Sequence, residues 1–228
     1  MTEAGQLSFL LQISDAMFPT GAYAHSFGME EMIREGRIAD EVSLMKFLQT
    51  HVTPALVHVD LPIVAEAQRA AQRGDSADLW ELDRLAGALR PARELRAASL
   101  QTGRRRLAVL SAVRPTSILT AYQAMVEHAP NAGHHAVVWG AACAGLSASA
   151  AMAAYYYQTM AGYCAAAPKL LRIGQEAAQR VLTALLAESG PALECAATVK
   201  RADIGWFDPL LDIASMRHEI ADERLFIS

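Results

Sequence analysis

The spacing of apolar residues along the chain predicts helices rather than strands. Apolar side chains recur at intervals of three and four residues, which places them on one face of an α-helix, and alternating β-branched runs are scarce. The clearest case follows Gly174, where Ala177, Val181 and Leu185 share one face. We therefore predict an all-α fold of roughly eight to ten helices, packed as a single domain over residues 1–228.

Caps and prolines predict where several helices begin and end. Asp40 is placed to cap a helix, and Pro54 and Pro62 are expected to kink or break the helical segment that follows, with Asp60 as a second cap. The other predicted boundaries are a helix from Pro91 to Val113, a loop at 130–133, a helix end at 189–191, and a last helix capped by Asp208 and opened by Pro209.

A long segment in the middle of the chain carries no charge. Between Glu127 and Lys169 there is no Asp, Glu, Lys or Arg. A segment of about 20 apolar residues can span a bilayer, but this one consists largely of Ala, Gly and Ser, which add little transfer free energy. We expect no membrane span. The pattern favours one or two helices packed closely in the core or in a subunit interface.

The composition excludes several classes of function. A formal net charge of −4 argues against a dedicated nucleic-acid binder, and we interpret the run Arg104-Arg105-Arg106 as a solvated helix face. Three cysteines without a C-x-x-C spacing indicate buried thiols in a reducing compartment. The first twelve residues lack the features of a signal peptide. We therefore expect a cytoplasmic protein.

Motifs for catalysis and cofactor binding are missing from the sequence. It contains no phosphate-binding G-x-x-x-x-G-K-[ST], no G-x-G-x-x-G and no recognisable Ser, His and Asp arrangement. Adjacent His134 and His135, with His128, invite a metal site, but neighbouring side chains on a helix diverge by about 100°. Packing roles are favoured for these histidines, with His134 and His135 kept as candidates for a transient metal contact. We predict no enzyme activity and no cofactor.

Two terminal segments differ from ordinary core sequence. Residues 14–30 combine a Pro-Thr-Gly break with aromatic and polar side chains, which by composition alone is a helix–loop–helix corner. At the other end, a helix containing Met216 to Glu219 leads into an apolar tail with Leu225, Phe226 and Ile227. Because chain ends usually fray, apolar residues there predict docking, either on the body of the protein or on a partner.

At these segments the chain resembles the urease accessory protein F family (UreF). Residues 10–30 resemble the opening pattern of that family, and the matching positions are Pro19, Gly21, Tyr23, His25, Ser26, Gly28 and Glu30. Further matches, in family order, are Glu94 to Arg96 with Gly103-Arg104, His134 or His135 with Val137 to Gly140, Gly174-Gln175 with Gln179-Arg180, and Asp212 to Glu219 with Arg224 to Ser228. The resemblance covers nearly the whole chain. Asp222-Glu223 depart from it, since the family commonly has Tyr-Ser immediately before the terminal Arg-Leu-Phe.

The resemblance implies a non-enzymatic chaperone for nickel insertion during urease maturation. Such proteins are all-α homodimers that bind a second accessory protein, called D or H, and a G-type GTPase. The complex promotes GTP-dependent delivery of nickel to apo-urease in the cytoplasm. No nucleic acid and no membrane take part.

The resemblance also assigns site residues. It places partner binding on the C-terminal helix and tail, 206–228, with Arg224, Leu225 and Phe226 foremost. The other partner-binding candidates are Asp212, Arg217, His218, Glu219 and Ser228. The seven matching positions of the N-terminal motif are candidates for a partner face or a passage for nickel, and His25 for a transient metal contact.

Two other functions remain open at this point. One is a nickel carrier in its own right, which would hold stoichiometric metal after purification. The other is a small all-α enzyme that uses His134, His135 and acidic side chains, which would lose turnover when His135 is replaced.

Overall fold

The computed structural model describes residues 2–21, 25–221 and 224–226. Over these residues the chain is helical and contains no strand, which confirms the predicted all-α class. The helices are α1 (Glu3–Ser14), α2 (Met29–Arg34), α3 (Glu41–Phe47), α4 (Thr53–Ala55), α5 (Leu61–Arg73), α6 (Ser76–Ala88), α7 (Arg93–Val113), α8 (Ser117–Glu127), α9 (His135–Ala142), α10 (Ala148–Leu170), α11 (Gln175–Ala187), α12 (Ser189–Thr198) and α13 (Pro209–Glu219).

The segment from α3 to α5 is one continuous helix that widens twice. It contains π-helical turns at Leu48–Val52 and Leu56–Asp60. Each turn lies just before a proline, Pro54 or Pro62, whose ring clashes with the carbonyl four residues earlier and whose nitrogen has no proton to donate. The helix therefore passes both prolines by widening rather than by breaking. Counted with this continuous helix as one, the described residues form eleven helices, slightly more than the predicted number.

The prediction that Asp60 caps a second helix is wrong. Its backbone is helical and its side chain makes no capping hydrogen bond. The carboxylate instead forms an ion pair with Arg90 and lies 3.4 Å from the Tyr155 hydroxyl. Because the helix does not break at Pro62, no free N–H groups are left there for a cap to satisfy.

Most of the other predicted boundaries are confirmed. Asp40 caps α3 by accepting a hydrogen bond from the Ser43 backbone N–H at 2.8 Å, and residues 130–133 form the loop before α9. The helix expected to start at Pro91 starts at Arg93 and ends at Val113 as predicted. The helix expected to end at 189–191 ends at Ala187, and α12 begins at Ser189 after a single intervening residue.

Helix α9 is the centre of the fold, and glycines let its neighbours approach closely. A Cβ at Gly140 would lie 2.9 Å from the Gln68 backbone nitrogen on α5. A Cβ at Gly103 on α7 would lie 2.7 Å from the backbone nitrogen of His135. Both distances are shorter than real Cβ contacts, so α5 and α7 pack against α9 through bare backbone.

The uncharged segment forms α9 and α10 with the loops around them. Val137, Val138 and Trp139 are fully buried, and the Trp139 indole N–H donates to the Ala151 carbonyl at 3.0 Å. Close packing of small residues is therefore confirmed. None of the helices in the described ranges is long and apolar enough to cross a membrane.

The interpretation of Arg104-Arg105-Arg106 as a solvated face is wrong for two of the three residues. Arg106 is only 1% exposed, and Arg104 is half-buried with its Nε donating to the Ala132 carbonyl at 2.7 Å. Only Arg105 is exposed. The cause is the helical period, because Arg106 falls on the same stripe of α7 as the buried Thr102 and Leu110.

Candidate functional site

The chain enters the last helix along a segment fixed by the second π turn. Pro62 cannot donate to the His58 carbonyl, and that carbonyl accepts instead from the Gly205 backbone N–H at 3.0 Å. The next side chain, Trp206, stacks on the His58 ring with centroids 5.1 Å apart. A proline in one helix thus frees the backbone oxygen that positions the start of another.

Helix α13 begins at the cap predicted from the sequence. Asp208 Oδ1 accepts hydrogen bonds from the backbone N–H groups of Leu210 and Leu211, each at 3.1 Å, and Pro209 occupies the first helical position. The other carboxylate oxygen lies 2.6 Å from His51 Nδ1 on the first π turn. Cap and partner together fix where the helix starts.

Three buried or half-buried side chains from separate helices join α13 to the body of the protein. His218, 1% exposed, lies with its Nδ1 2.9 Å from Glu94 Oε2 on α7 and its Nε2 3.0 Å from Glu30 Oε2 on α2. A ring donates to two carboxylates at once only when both nitrogens carry protons. We call Glu30, Glu94 and His218 the carboxylate clamp.

The carboxylate clamp also holds the C-terminal tail. The backbone N–H groups of Leu225 and Phe226 donate to Glu30 Oε1 and Oε2 at 2.7 and 3.0 Å. The Phe226 ring is 6% exposed and lies 5.6 Å from Lys169 Nζ, while Arg224 Nη1 lies 3.4 Å from Glu94 Oε1. The sequence predicted that the apolar tail docks either on the body of the protein or on a partner. Phe226 docks on the body of the protein.

The N-terminal motif is where α13 and the tail dock. Gly28 has φ +84°, and a Cβ there would lie 2.9 Å from Ser215 Oγ on α13. The same motif supplies Glu30 to the carboxylate clamp. Ser26 and His25 are buried beside it. Pro19 lies in the bend that precedes these residues, Gly21 follows with φ +75°, and Tyr23 lies outside the described residues.

The remaining C-terminal candidates are exposed, half-buried or outside the described ranges. Arg217 forms an ion pair with Glu35, and Glu219 accepts from Arg93 Nε at 2.7 Å. Asp212 is half-buried, and burial, together with nearby Asp208, raises the pKa of its carboxyl. Ser228 and the departing pair Asp222-Glu223 lie among the residues that the structure does not describe.

One face of α13 presents apolar side chains to solvent. Ile220 is 81% exposed, and Leu225 beyond the helix is 64% exposed. At about 100° per residue the exposed apolar side chains cover about a third of the helix circumference. They are Leu210, Ile213, Met216 and Ile220, with Trp206 and Phe207 just ahead of the helix. We call this set the α13 apolar face.

The histidines proposed for transient metal contact lie in packed surroundings. The His134 ring faces Ser99 Oγ at 3.1 Å, and burial, with Arg90, Arg96 and Arg104 nearby, lowers its pKa to about 3. His135 Nε2 accepts from Arg106 Nε at 3.2 Å, and burial lowers its pKa well below the usual value. Across the described ranges no three His, Cys, Asp or Glu side chains come together as a metal site.

Sequence reasoning named all three members of the carboxylate clamp but did not join them. Glu94 lies 124 positions from His218, and Glu30 lies 188 positions away. The available signal was their pattern: a carboxylate in the first turn of two helices and a histidine in the last turn of a third. Charge type predicts such a pairing, but sequence spacing does not.

The fold and the site define an all-α protein whose N-terminal motif and C-terminal tail meet at one surface. A sequence model of the UreF family matches residues 38–186. The chain is 34% identical to the urease accessory protein UreF of Paenarthrobacter aurescens strain TC1 over 221 residues, covering 96% of each chain. It is 33% identical to the UreF of Arthrobacter sp. strain FB24 over the full length of both. The chain belongs to the UreF family.

Proposed function

We propose that this chain is a chaperone in urease maturation that binds a D- or H-type accessory protein and a G-type GTPase. The assembly promotes GTP-dependent insertion of nickel into apo-urease in the cytoplasm, and the chain itself performs no catalysis. Membership of the UreF family supports the link to urease. The relatives are urease accessory proteins, and the chain matches them over nearly their whole length.

The α13 apolar face is the observation that carries partner binding. Exposed large apolar side chains in one stripe are typical of surfaces that contact another protein. Leu225 in the tail is also exposed, and the carboxylate clamp fixes its backbone. In this proposal the exposed residues touch the partner, while buried His218 and Phe226 position them.

A homodimer is part of the proposal and uses a different surface. Helix α10 carries no charge before Lys169, and its outward face exposes Ser149 and Tyr157. Small side chains let two such helices approach closely. Dimerisation through α10 would leave the α13 apolar face open for the other accessory proteins.

Co-purification of the chain with its accessory proteins tests the proposal. The D- or H-type protein, the GTPase and urease are expressed together with a tagged copy of the chain. The double change Ile213→Asp and Ile220→Asp is expected to abolish capture of the partners, because it puts two charges into the α13 apolar face. Removal of residues 224–228 is expected to do the same while the helical circular dichroism stays unchanged.

The matched control replaces an exposed apolar residue on another helix. Val42→Asp on α3 is expected to capture both partners as the unchanged chain does, since Val42 lies outside the α13 apolar face. The second readout is the nickel content of the urease produced in each strain. Normal capture and normal nickel loading by the Ile213, Ile220 double variant would reject this surface.

Metal analysis separates the chaperone from a nickel carrier. The purified chain is expected to contain far less than one nickel per chain, while urease from the same cells is loaded. Stoichiometric nickel that survives dialysis would favour the carrier.

A further inference from the structure

A cavity lies behind the N-terminal motif and meets the α13 apolar face at Trp206, which belongs to both. Its volume is about 290 Å³. The walls come from the end of α1, the turn after it, the π-helical segment, α7, α10 and the start of α13. Most of its lining is apolar, including Phe18, Phe27, Val59 and Tyr163. Volume and lining match those of pockets for small organic molecules.

The buried cation in the lining of this cavity, Arg106, has no anionic partner among the described residues. Arg106 is 1% exposed, and no carboxylate of the described residues lies within ion-pair distance of it. Its guanidinium lies 4.4 Å from the Trp139 ring centroid and 4.9 Å from that of Phe18. Burial lowers its pKa to about 9. A charged group in such surroundings is normally paired.

Part of the hydrogen-bonding capacity of Arg106 is unused. Nη1 donates to the Ile13 carbonyl at 2.7 Å, and Nε donates to His135 Nε2 at 3.2 Å. A guanidinium has five N–H groups, so the hydrogen bonds within the described part of the chain leave Nη2 without an acceptor. One turn earlier on α7, Thr102 Oγ1 is buried and also lacks a partner among the described residues.

Among the described residues, three of the four carboxylates that line the cavity are engaged elsewhere. Asp60 is paired with Arg90. Asp208 caps α13 and contacts His51. Asp15 accepts from the Met17 backbone N–H at 2.7 Å. The fourth, Asp212, has no side-chain hydrogen-bond or ion-pair partner among the described residues, and burial, together with nearby Asp208, raises the pKa of its carboxyl and so disfavours its charge. The cavity therefore offers a buried unpaired cation and, in Asp212, one unpaired carboxyl whose charge is disfavoured.

We infer that this cavity binds a small organic carboxylate, with the carboxylate on Arg106 and the apolar body against Phe18, Phe27 and Tyr163. The planar fork of a guanidinium matches a carboxylate, and the hydroxyl of Thr102 supplies a further donor on the same face of α7. An inorganic ion would leave most of the apolar lining uncovered. This ligand site goes beyond the proposed chaperone function and does not depend on it.

Calorimetric titration of the full-length chain with sodium benzoate tests the inference. Benzamide has nearly the same shape and no charge, so it is expected to bind at least about tenfold more weakly. Sodium phosphate at equal ionic strength, which is charged but not apolar, is expected to give no saturable heat. Equal affinity for benzoate and benzamide, or no benzoate binding up to about 10 mM, would overturn the inference.

Variants locate the binding within the cavity. Arg106→Met keeps the length and apolar character of the side chain and is expected to lower benzoate affinity at least about tenfold. Its matched control is Arg105→Met, the exposed neighbour on α7, which is expected to bind benzoate normally. Thr102→Val keeps the side-chain shape, removes only the hydroxyl, and is expected to weaken benzoate about threefold. Thr102→Val tests the same site if Arg106→Met does not fold. Unchanged benzoate affinity in a folded Arg106→Met would assign the ligand to another surface.

Discussion

The centre of the molecule and its C-terminal end are held by different physical means. Around α9 the helices meet through backbone and small side chains, at distances that leave no room for a Cβ at Gly103 or Gly140. At the C-terminal end, α13 and the tail are held by the carboxylate clamp and one buried ring, Phe226. Close packing cannot be loosened in parts, because neighbouring backbones must move together. A few polar contacts can be opened one at a time.

Under the proposed function, this difference gives the two regions separate tasks. The centre fixes the fold and holds α7 and α10, from which Glu94 and Lys169 reach the tail. The end presents the α13 apolar face and depends on a small number of hydrogen bonds. Elements that contact partners are commonly drawn from the less stable part of a protein. Mutations should therefore separate loss of folding from loss of partner binding.

The largest effect is expected at the contact between α7 and α9. Gly103→Ala would put a Cβ 2.7 Å from the His135 backbone nitrogen and 2.8 Å from the His134 carbonyl carbon. We expect the free energy of unfolding to fall by about 3 kcal/mol or more, because backbone cannot move aside as a side chain can. Urea unfolding measures the change.

The control for Gly103 is a glycine with open space around it. Gly162 lies inside α10 and has no atom within 4 Å of the position that a Cβ would take. Gly162→Ala should raise the free energy of unfolding by about 0.5–1 kcal/mol through helix propensity alone. If both changes shifted stability alike, close packing would not be what holds the centre.

The second effect is the pH dependence of the free energy of unfolding, which arises from a buried histidine in the centre. Burial lowers the pKa of His134 to about 3, against about 6.5 in an unfolded chain. The unfolded state therefore binds the extra proton first, and stability is lost as the pH falls from 6.5 towards 3. This group alone contributes a slope of up to about 1.4 kcal/mol per pH unit. Urea unfolding at several pH values from 7.5 to 5 measures it.

His134→Gln isolates this contribution. Burial raises the pKa of Asp83 and so acts in the opposite direction, which makes the slope of the unchanged chain a net value. The difference between the two slopes should correspond to about one proton. Identical slopes would mean that His134 is not kept neutral by the packed centre.

Local sequence signals predicted the ends of helices well and the clamp poorly. Asp40 and Asp208 could be identified from the sequence because the capping carboxylate and the backbone N–H groups that donate to it lie within three residues. The prediction of a cap at Asp60 was wrong because the helix continues past Pro54 and Pro62 by forming a π-helical turn before each of them. The carboxylate clamp joins residues more than 120 positions apart, which depends on how α2, α7 and α13 pack. No local spacing carries that information.

The third effect concerns the carboxylate clamp. Glu30→Gln removes an ionised acceptor shared by His218 and the Leu225 and Phe226 backbone N–H groups. The free energy of opening the tail should fall by about 1–3 kcal/mol. Hydrogen exchange of the two tail amides should accelerate about tenfold or more. Exchange in α9 should stay unchanged.

Glu35→Gln is the matched control for the clamp. Glu35 pairs with Arg217 at the surface and contacts no tail amide in the described part of the chain. Tail exchange in this variant should equal that of the unchanged chain. Equal acceleration in both variants would show that general charge near α13, rather than the clamp, holds the tail.

The smallest effect on stability is expected at Leu225, and it separates the two roles of the tail. Leu225 is 64% exposed and its neighbour Phe226 is 6% exposed. Leu225→Ala should change the free energy of unfolding by no more than about 0.5 kcal/mol, yet weaken partner capture. Phe226→Ala should speed exchange of the tail amides, because it removes the buried ring. If Leu225→Ala also freed the tail, its exposed side chain would be part of the fold, and partner binding could not be assigned to it separately.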